Sequence, residues 1–127
     1  MKIWDLVDEI YNLKYQKFAD DIAVNSICAC GNGLIYYGSQ VYYSITKTDA
    51  PTMYDVRLRT TALEVELVVS KNKVSVISST AECTSSQILE YLNDFKSKVS
   101  SEFDLWIHNR LNSVDRNKKL EEELNAL

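Results

Sequence analysis

Leu63-Glu64-Val65-Glu66-Leu67-Val68-Val69-Ser70-Lys71-Asn72-Lys73-Val74-Ser75-Val76-Ile77-Ser78 is the stretch that decides the fold class. Apolar Leu63, Val65 and Leu67 alternate with Glu64 and Glu66, the period of two that marks a strand with one buried and one solvated face. Lys71-Asn72-Lys73 is a polar break that closes a hairpin onto Val74–Ser78. Met53 to Arg59 has the same character and, with Leu63 to Val69, reads as one long strand bent or bulged near Thr60-Thr61-Ala62. Strands joined by short turns pair antiparallel, since a parallel neighbour needs a crossover of a dozen residues or more.

Moving outward, Asp49-Ala50-Pro51-Thr52 is a turn. Leu34 to Thr46 is a strand region, broken or bulged at Gly38-Ser39. Gly31-Asn32-Gly33 precedes it, and Asn-Gly is the signature of a type I′ hairpin, whose two central residues both need positive φ. Ile22 to Cys30 alternates ahead of that turn, with Ile22, Val24, Ser26, Cys28 and Cys30 on one side. The ends of the chain are helical. Ile3, Leu6, Val7, Ile10, Leu13 and Phe18 recur at helical spacing, with Asp5, Asp8, Glu9, Lys14 and Lys17 assigned to the polar face. Thr84-Ser85-Ser86-Gln87 has the form of a capping box. Ile88, Leu92, Phe95, Val99, Phe103, Trp106 and Arg110 then step by three or four residues, and Ser113 offers a cap for a further segment. The expected fold is α+β: an antiparallel sheet of about four to five strands, flanked by an N-terminal helix and a long C-terminal helix or helix pair.

Length bounds the organisation. A chain of 127 residues, 46% of them apolar, suits a single domain over 1–127 able to bury its own core. Residues 114–127 form a helical tail whose Leu120, Leu124 and Leu127 lie at helical spacing among charges. A tail that short is marginal as an isolated helix. It either pairs with a second copy, giving a homodimer, or frays. A formal charge of −4 argues against nonspecific binding to nucleic acid, which needs a clustered positive surface. Lys2 followed by Asp5, Asp8 and Glu9 does not resemble an export signal, and no run is long and apolar enough for a membrane span. The expectation is a cytoplasmic protein whose three cysteines stay reduced.

No catalytic motif emerges. Cys28 and Cys30, with Cys83 and His108, are a conceivable zinc set, but structural zinc sites begin with a wider C-x₂₋₄-C spacing. A straight strand should also hold the two sulfurs apart. Gly31, Gly33 and Gly38 match no phosphate-binding loop. The acidic pairs Asp20-Asp21 and Glu64/Glu66, and the run Glu121 to Glu123, read as solvated faces. His108 is the only histidine, and no glycine elbow presents a nucleophile to it. The expectation is therefore no enzyme, no metal and no cofactor.

Two features stand out. Tyr36, Tyr37, Tyr42 and Tyr43 lie in an uncharged stretch, and alternation puts at least one of each pair on the non-core face, where tyrosine gives rigid contact area. Arg57 and Arg59 share a strand face with Asp55; two adjacent guanidiniums can hold a phosphate or carboxylate, or else pair across strands with Glu64 and Glu66. These six residues are the candidate site. Short length, acidity and abundant Asn, Lys, Ile, Ser and Tyr are the composition of small accessory proteins of phages or other mobile elements. The leading expectation is a non-enzymatic binding protein, an anti-defence inhibitor that occludes a host protein. One alternative is a sponge for a nucleotide signal, using Arg57, Arg59 and the tyrosines. The other is an export chaperone or toxin-immunity protein.

Overall fold

A computed structural model describes residues 2–18, 22–24, 26–48, 52–80 and 82–127. Helix α1 (Ile3–Lys17) is followed by strands β1 (Ile22–Val24), β2 (Ile27–Cys30), β3 (Gly33–Tyr37), β4 (Tyr42–Thr48), β5 (Met53–Arg59), β6 (Glu64–Ser70) and β7 (Val74–Ser79), and then by helix α2 (Ser85–Asn125). The strands form one open antiparallel meander in which each pairs only with its neighbours in sequence. The α+β class with an antiparallel sheet and a helix at each end is as expected. The strand count is not. Six strands of four residues or more, with the three-residue β1 at one edge, replace the expected four to five.

Three reversals account for the difference. The region Ile22–Cys30 folds back on itself, pairing Val24 with Ile27. At the expected break in Leu34–Thr46 the chain turns around, and the Gly38 N–H donates to the Val41 carbonyl at 2.7 Å. A Cβ on Gly38 would stand 3.0 Å from the Tyr36 ring, so a larger residue here would press against that ring. At Thr60 the supposed bend is a hairpin that sets Arg59 opposite Glu64. The Thr60 hydroxyl accepts hydrogen bonds from the N–H groups of Ala62 and Leu63, a side-chain turn that needs neither Gly nor Pro. The β2–β3 turn is also displaced from its expected place. Cys30 pairs with Gly33, so the loop residues are Gly31 and Asn32. Gly31 has φ +55, and the positive φ expected at the second loop residue is not found, which excludes type I′. Three of the four residues of the turn Asp49–Thr52, and the pair Asp20-Asp21, lie outside the described residues.

Both helices lie on one face of the sheet. Leu34, Tyr36, Tyr43, Ile45, Tyr54, Val56, Leu58, Val65, Leu67 and Val69 point inward from the strands. They meet Leu6, Val7, Ile10 and Tyr11 of α1 and Leu92, Phe95 and Val99 of α2. The helices run side by side in the same direction: Lys96 meets Glu9 at 2.5 Å, and Phe103 and Trp106 flank Phe18. Two buried tyrosines tie the layers together through their hydroxyls. Tyr43 donates to Asp94 at 2.8 Å and Tyr54 donates to Asp8 at 2.5 Å. Lys14, assigned to the polar face from sequence, is instead buried and donates to the Gly31 carbonyl, tethering the β2–β3 turn.

α2 is a single helix through Ser113, with no second segment. No glycine or proline interrupts residues 85–125, so nothing in the chain stops it. Thr84 caps it with the expected box, in which its side chain accepts from Gln87 N–H and the Gln87 side chain accepts from Thr84 N–H. Its 41 residues span about 61 Å, against roughly 29 Å from β1 to β7 at the usual strand spacing. The helix therefore projects past the β1 edge, and Leu111, Val114, Leu120 and Leu124 on the projection are exposed. No helix among the described residues is long and apolar enough to cross a membrane.

Two outcomes follow from this packing. Replacing Thr84 by Ala removes the cap and lowers unfolding free energy by about 1 kcal/mol, read from urea melts. Burial, and then the bonds to carboxylates, pushes the Tyr43 and Tyr54 hydroxyls well above the ordinary tyrosine value, and burial does the same for Tyr11. A raised pKa in the folded state means the stabilisation is intact below the unfolded value near pH 10 and is lost as pH climbs toward the folded value. An alkaline titration should show tyrosinate absorbance rising in a cooperative step together with loss of far-ultraviolet circular dichroism.

Candidate functional site

The helices leave the opposite sheet face uncovered. Alternation sends one residue of each tyrosine pair to that face and the other to the core. Tyr36 and Tyr43 point inward, their rings stacked 6.2 Å apart, with Tyr43 also 5.5 Å from Phe95. Tyr37 and Tyr42 point outward and sit directly opposite each other on β3 and β4. The four tyrosines are thus divided: two are part of the core, and two are presented to solvent.

Strand pairing then aligns the outward residues in rows. Tyr37, Tyr42, Arg59 and Glu64 form one row across β3 to β6. Ser44, Arg57, Glu66 and Ser78 form the next across β4 to β7. Within the first row Tyr37 meets the Tyr42 ring edge-on at 5.0 Å, and the Arg59 guanidinium lies over the Tyr42 ring at 5.1 Å. The first row, with Arg57, Glu66 and Ser78 of the second, lines a shallow hollow of about 370 Å³. Four of the six candidate residues, Tyr37, Tyr42, Arg57 and Arg59, therefore come together.

The two arginines differ in their partners. Arg57 stands between two carboxylates, 3.5 Å from Glu66 and 3.8 Å from Asp55. This is the cross-strand pairing that the sequence allowed as an alternative to anion binding. Arg59 has an aromatic partner and no ion pair among those of the described residues. Asp55 is held above the usual carboxylate range, first by burial and then by the charge of Glu66, with Arg57 pulling the other way. One of its oxygens is buried without a hydrogen-bond partner among the described residues. Three carboxylates, Asp55, Glu64 and Glu66, thus accompany two guanidiniums on this face, and the site carries no net positive charge with which to draw in an anion.

Cys28 and Cys30 also lie on this face, and here the geometry corrects the sequence. Their sulfurs are 2.9 Å apart, because both side chains lean together from positions two residues apart on β2. Cys83 and His108 do not join them. His108 lies 23 residues into α2 from Ser85, more than six turns from the end beside Cys83; it is exposed and hydrogen-bonded to Asn112 at 3.1 Å. Among the described residues no group of three His, Cys, Asp or Glu side chains is placed to hold a metal ion. Comparison with known protein families, with characterised proteins and with solved structures finds no match for this chain.

Asp55 provides the test of this electrostatic description. Its raised pKa means that folding favours the protonated acid: that preference is satisfied below the unfolded value and becomes a cost as pH rises through the folded one. Asp55→Asn carries no charge to desolvate, and its amide can donate toward Glu66. The variant should melt higher than the parent at about pH 7, with the gain shrinking toward about pH 3.5 as the parent carboxyl takes up its proton. Equal melting temperatures at both pH values would contradict the assignment.

Proposed function

We propose that this chain is a non-enzymatic binding protein, and that it acts by covering a functional surface of another protein with the outward face of its sheet. The observation that carries this reading is the row Tyr37–Tyr42–Arg59. Two aromatic rings in edge-to-face contact, with a guanidinium over one of them, stand on a strand scaffold that neither α1 nor α2 covers. Tyr and Arg supply a disproportionate share of binding energy in protein interfaces, because they bury large area at small entropic cost. The sheet pre-organises them, so little ordering is left to oppose association. Around the row, Glu64, Glu66, Arg57 and Ser78 supply the mixed polar rim that such interfaces use. An inhibitor that occludes a host protein, of the anti-defence kind, fits a surface without a substrate cleft. The nucleotide-signal reading rests on Arg59 alone, since Arg57 is already paired with carboxylates.

Immobilised protein carrying Tyr37→Ala, Tyr42→Ala and Arg59→Glu should lose a host protein that the parent and a helix-face variant, Asn93→Ala, both retain. All three changed positions are on the outward face, so the fold should survive, as thermal melting can check. Calorimetry of the parent against linear and cyclic nucleotides should show no heat. A retained protein indifferent to the triple substitution removes the sheet face from consideration. Saturable nucleotide binding lost in Arg59→Glu transfers the site to the nucleotide reading.

A further inference from the structure

A second surface is independent of the sheet face. At the β7 edge, the N-terminal ends of α1 and α2 leave part of the inner sheet face uncovered. The result is a groove of about 310 Å³ lined by Ile3, Leu67, Val74, Val76, Ile88 and Leu89. Val74, Val76 and Leu89 are exposed. β7 is an open edge, and Val74–Ser79 contains neither a charge nor a proline, the usual devices that keep edges solvated. The groove continues into a second hollow that shares Ile3 and Val74 and is lined by Lys2, Lys71 and Lys73. Both helices begin here, so the positive ends of two helix dipoles add to three ammonium groups. An apolar trough with a positive end is the outcome.

The projecting end of α2 has the complementary character. Leu120, Leu124 and Leu127 are exposed on it, and Glu121, Glu122 and Glu123 lie between them. The tail cannot reach the groove of its own chain. Ile88 and Leu124 are on one continuous helix, about 54 Å apart. Only another molecule can bring the two surfaces together, and a chain that carries both can satisfy them reciprocally about a two-fold axis, the commonest closed arrangement.

We infer that two copies of this chain form an antiparallel dimer in which the 120–127 segment of each α2 seats in the groove at the β7 edge of the other. The apolar side chains of the tail cover Val74, Val76 and Leu89, and its glutamates lie beside Lys2, Lys71 and Lys73. The two α2 helices then run alongside each other with opposed dipoles, and the axis passes near Trp106, midway between Ile88 and Leu124. This assigns the tail a groove as its partner, and not another tail.

Light scattering on the full chain tests it, because every substituted position is exposed. The parent should be dimeric at about 100 µM, and Leu124→Glu/Leu127→Glu and Val76→Glu/Leu89→Glu should each weaken association roughly tenfold or more. Mixed together, the two variants should recover part of the association, since the intact tail of one meets the intact groove of the other. Lys71→Glu/Lys73→Glu should also weaken the dimer, and adding Glu121→Lys, Glu122→Lys and Glu123→Lys to it should restore affinity. A monomeric parent overturns the inference. So does a groove variant that dimerises normally, which would mean tail-to-tail pairing, or a tail variant that dimerises normally, which would mean β7-edge pairing. Failure of both the mixture and the charge exchange to recover association overturns it equally.

Discussion

Where the helices sit is fixed by two tyrosine hydroxyls. Tyr43 and Tyr54 are almost wholly buried, and each must satisfy a phenolic O–H at the margin of an apolar layer. An unpaired buried hydroxyl costs on the order of 1–3 kcal/mol, so the position of its acceptor matters as much as the area it covers. Asp8 on α1 and Asp94 on α2 supply those acceptors. Because one bond goes to each helix, the pair sets the position of both across the sheet, and Glu9–Lys96 bridges the two helices on their exposed side. Everything else follows from that placement: which face is closed, which is open, and how far α2 overshoots.

The same constraint explains why the tyrosine-rich stretch has two roles. Strand alternation cannot keep both members of an adjacent pair on one face. With Tyr36 and Tyr43 committed to the core, Tyr37 and Tyr42 are necessarily on the other side, opposite each other. The outward row is thus a geometric partner of the inward one, and the two cannot be varied independently in register without moving the core.

The fold class was legible in the sequence because alternation and helical spacing report burial directly, and the segments around Leu6, Leu67 and Leu92 show both cleanly. The turns were less legible. Thr60 closes a hairpin with its own hydroxyl, a bond that leaves no glycine or proline to mark it, so two strands looked like one. Lys14 departs from its expected polar face for a related reason: its ammonium is satisfied by a carbonyl on a distant turn, which spacing along one helix cannot reveal. At the candidate site, the sharing of one face by Arg57, Arg59 and a member of each tyrosine pair could be read from alternation alone. That Arg57 would pair with Glu66 depended on the hairpin at Thr60, and so was only an alternative; the contact of Arg59 with the Tyr42 ring depends on the β4–β5 register, which alternation along one strand does not reveal. The apolar trough at the β7 edge depends on where the two helices begin, although the uncharged strand Val74–Ser79 is itself visible in the sequence.

The meander has a consequence for how the chain reaches this state. Nearly all strand contacts are between neighbours in sequence, so the sheet can zip up locally, whereas α1 and α2 meet across more than half the chain. Contacts of such separation carry the largest loop-closure cost and tend to form late. During synthesis, β2 to β7 leave the ribosome before α2 does, and the apolar face built on Tyr43, Val56 and Leu67 waits with only α1 to shelter it. The nascent chain is therefore most exposed to aggregation and to chaperone capture in the interval between completion of the sheet and arrival of Leu92, Phe95 and Val99.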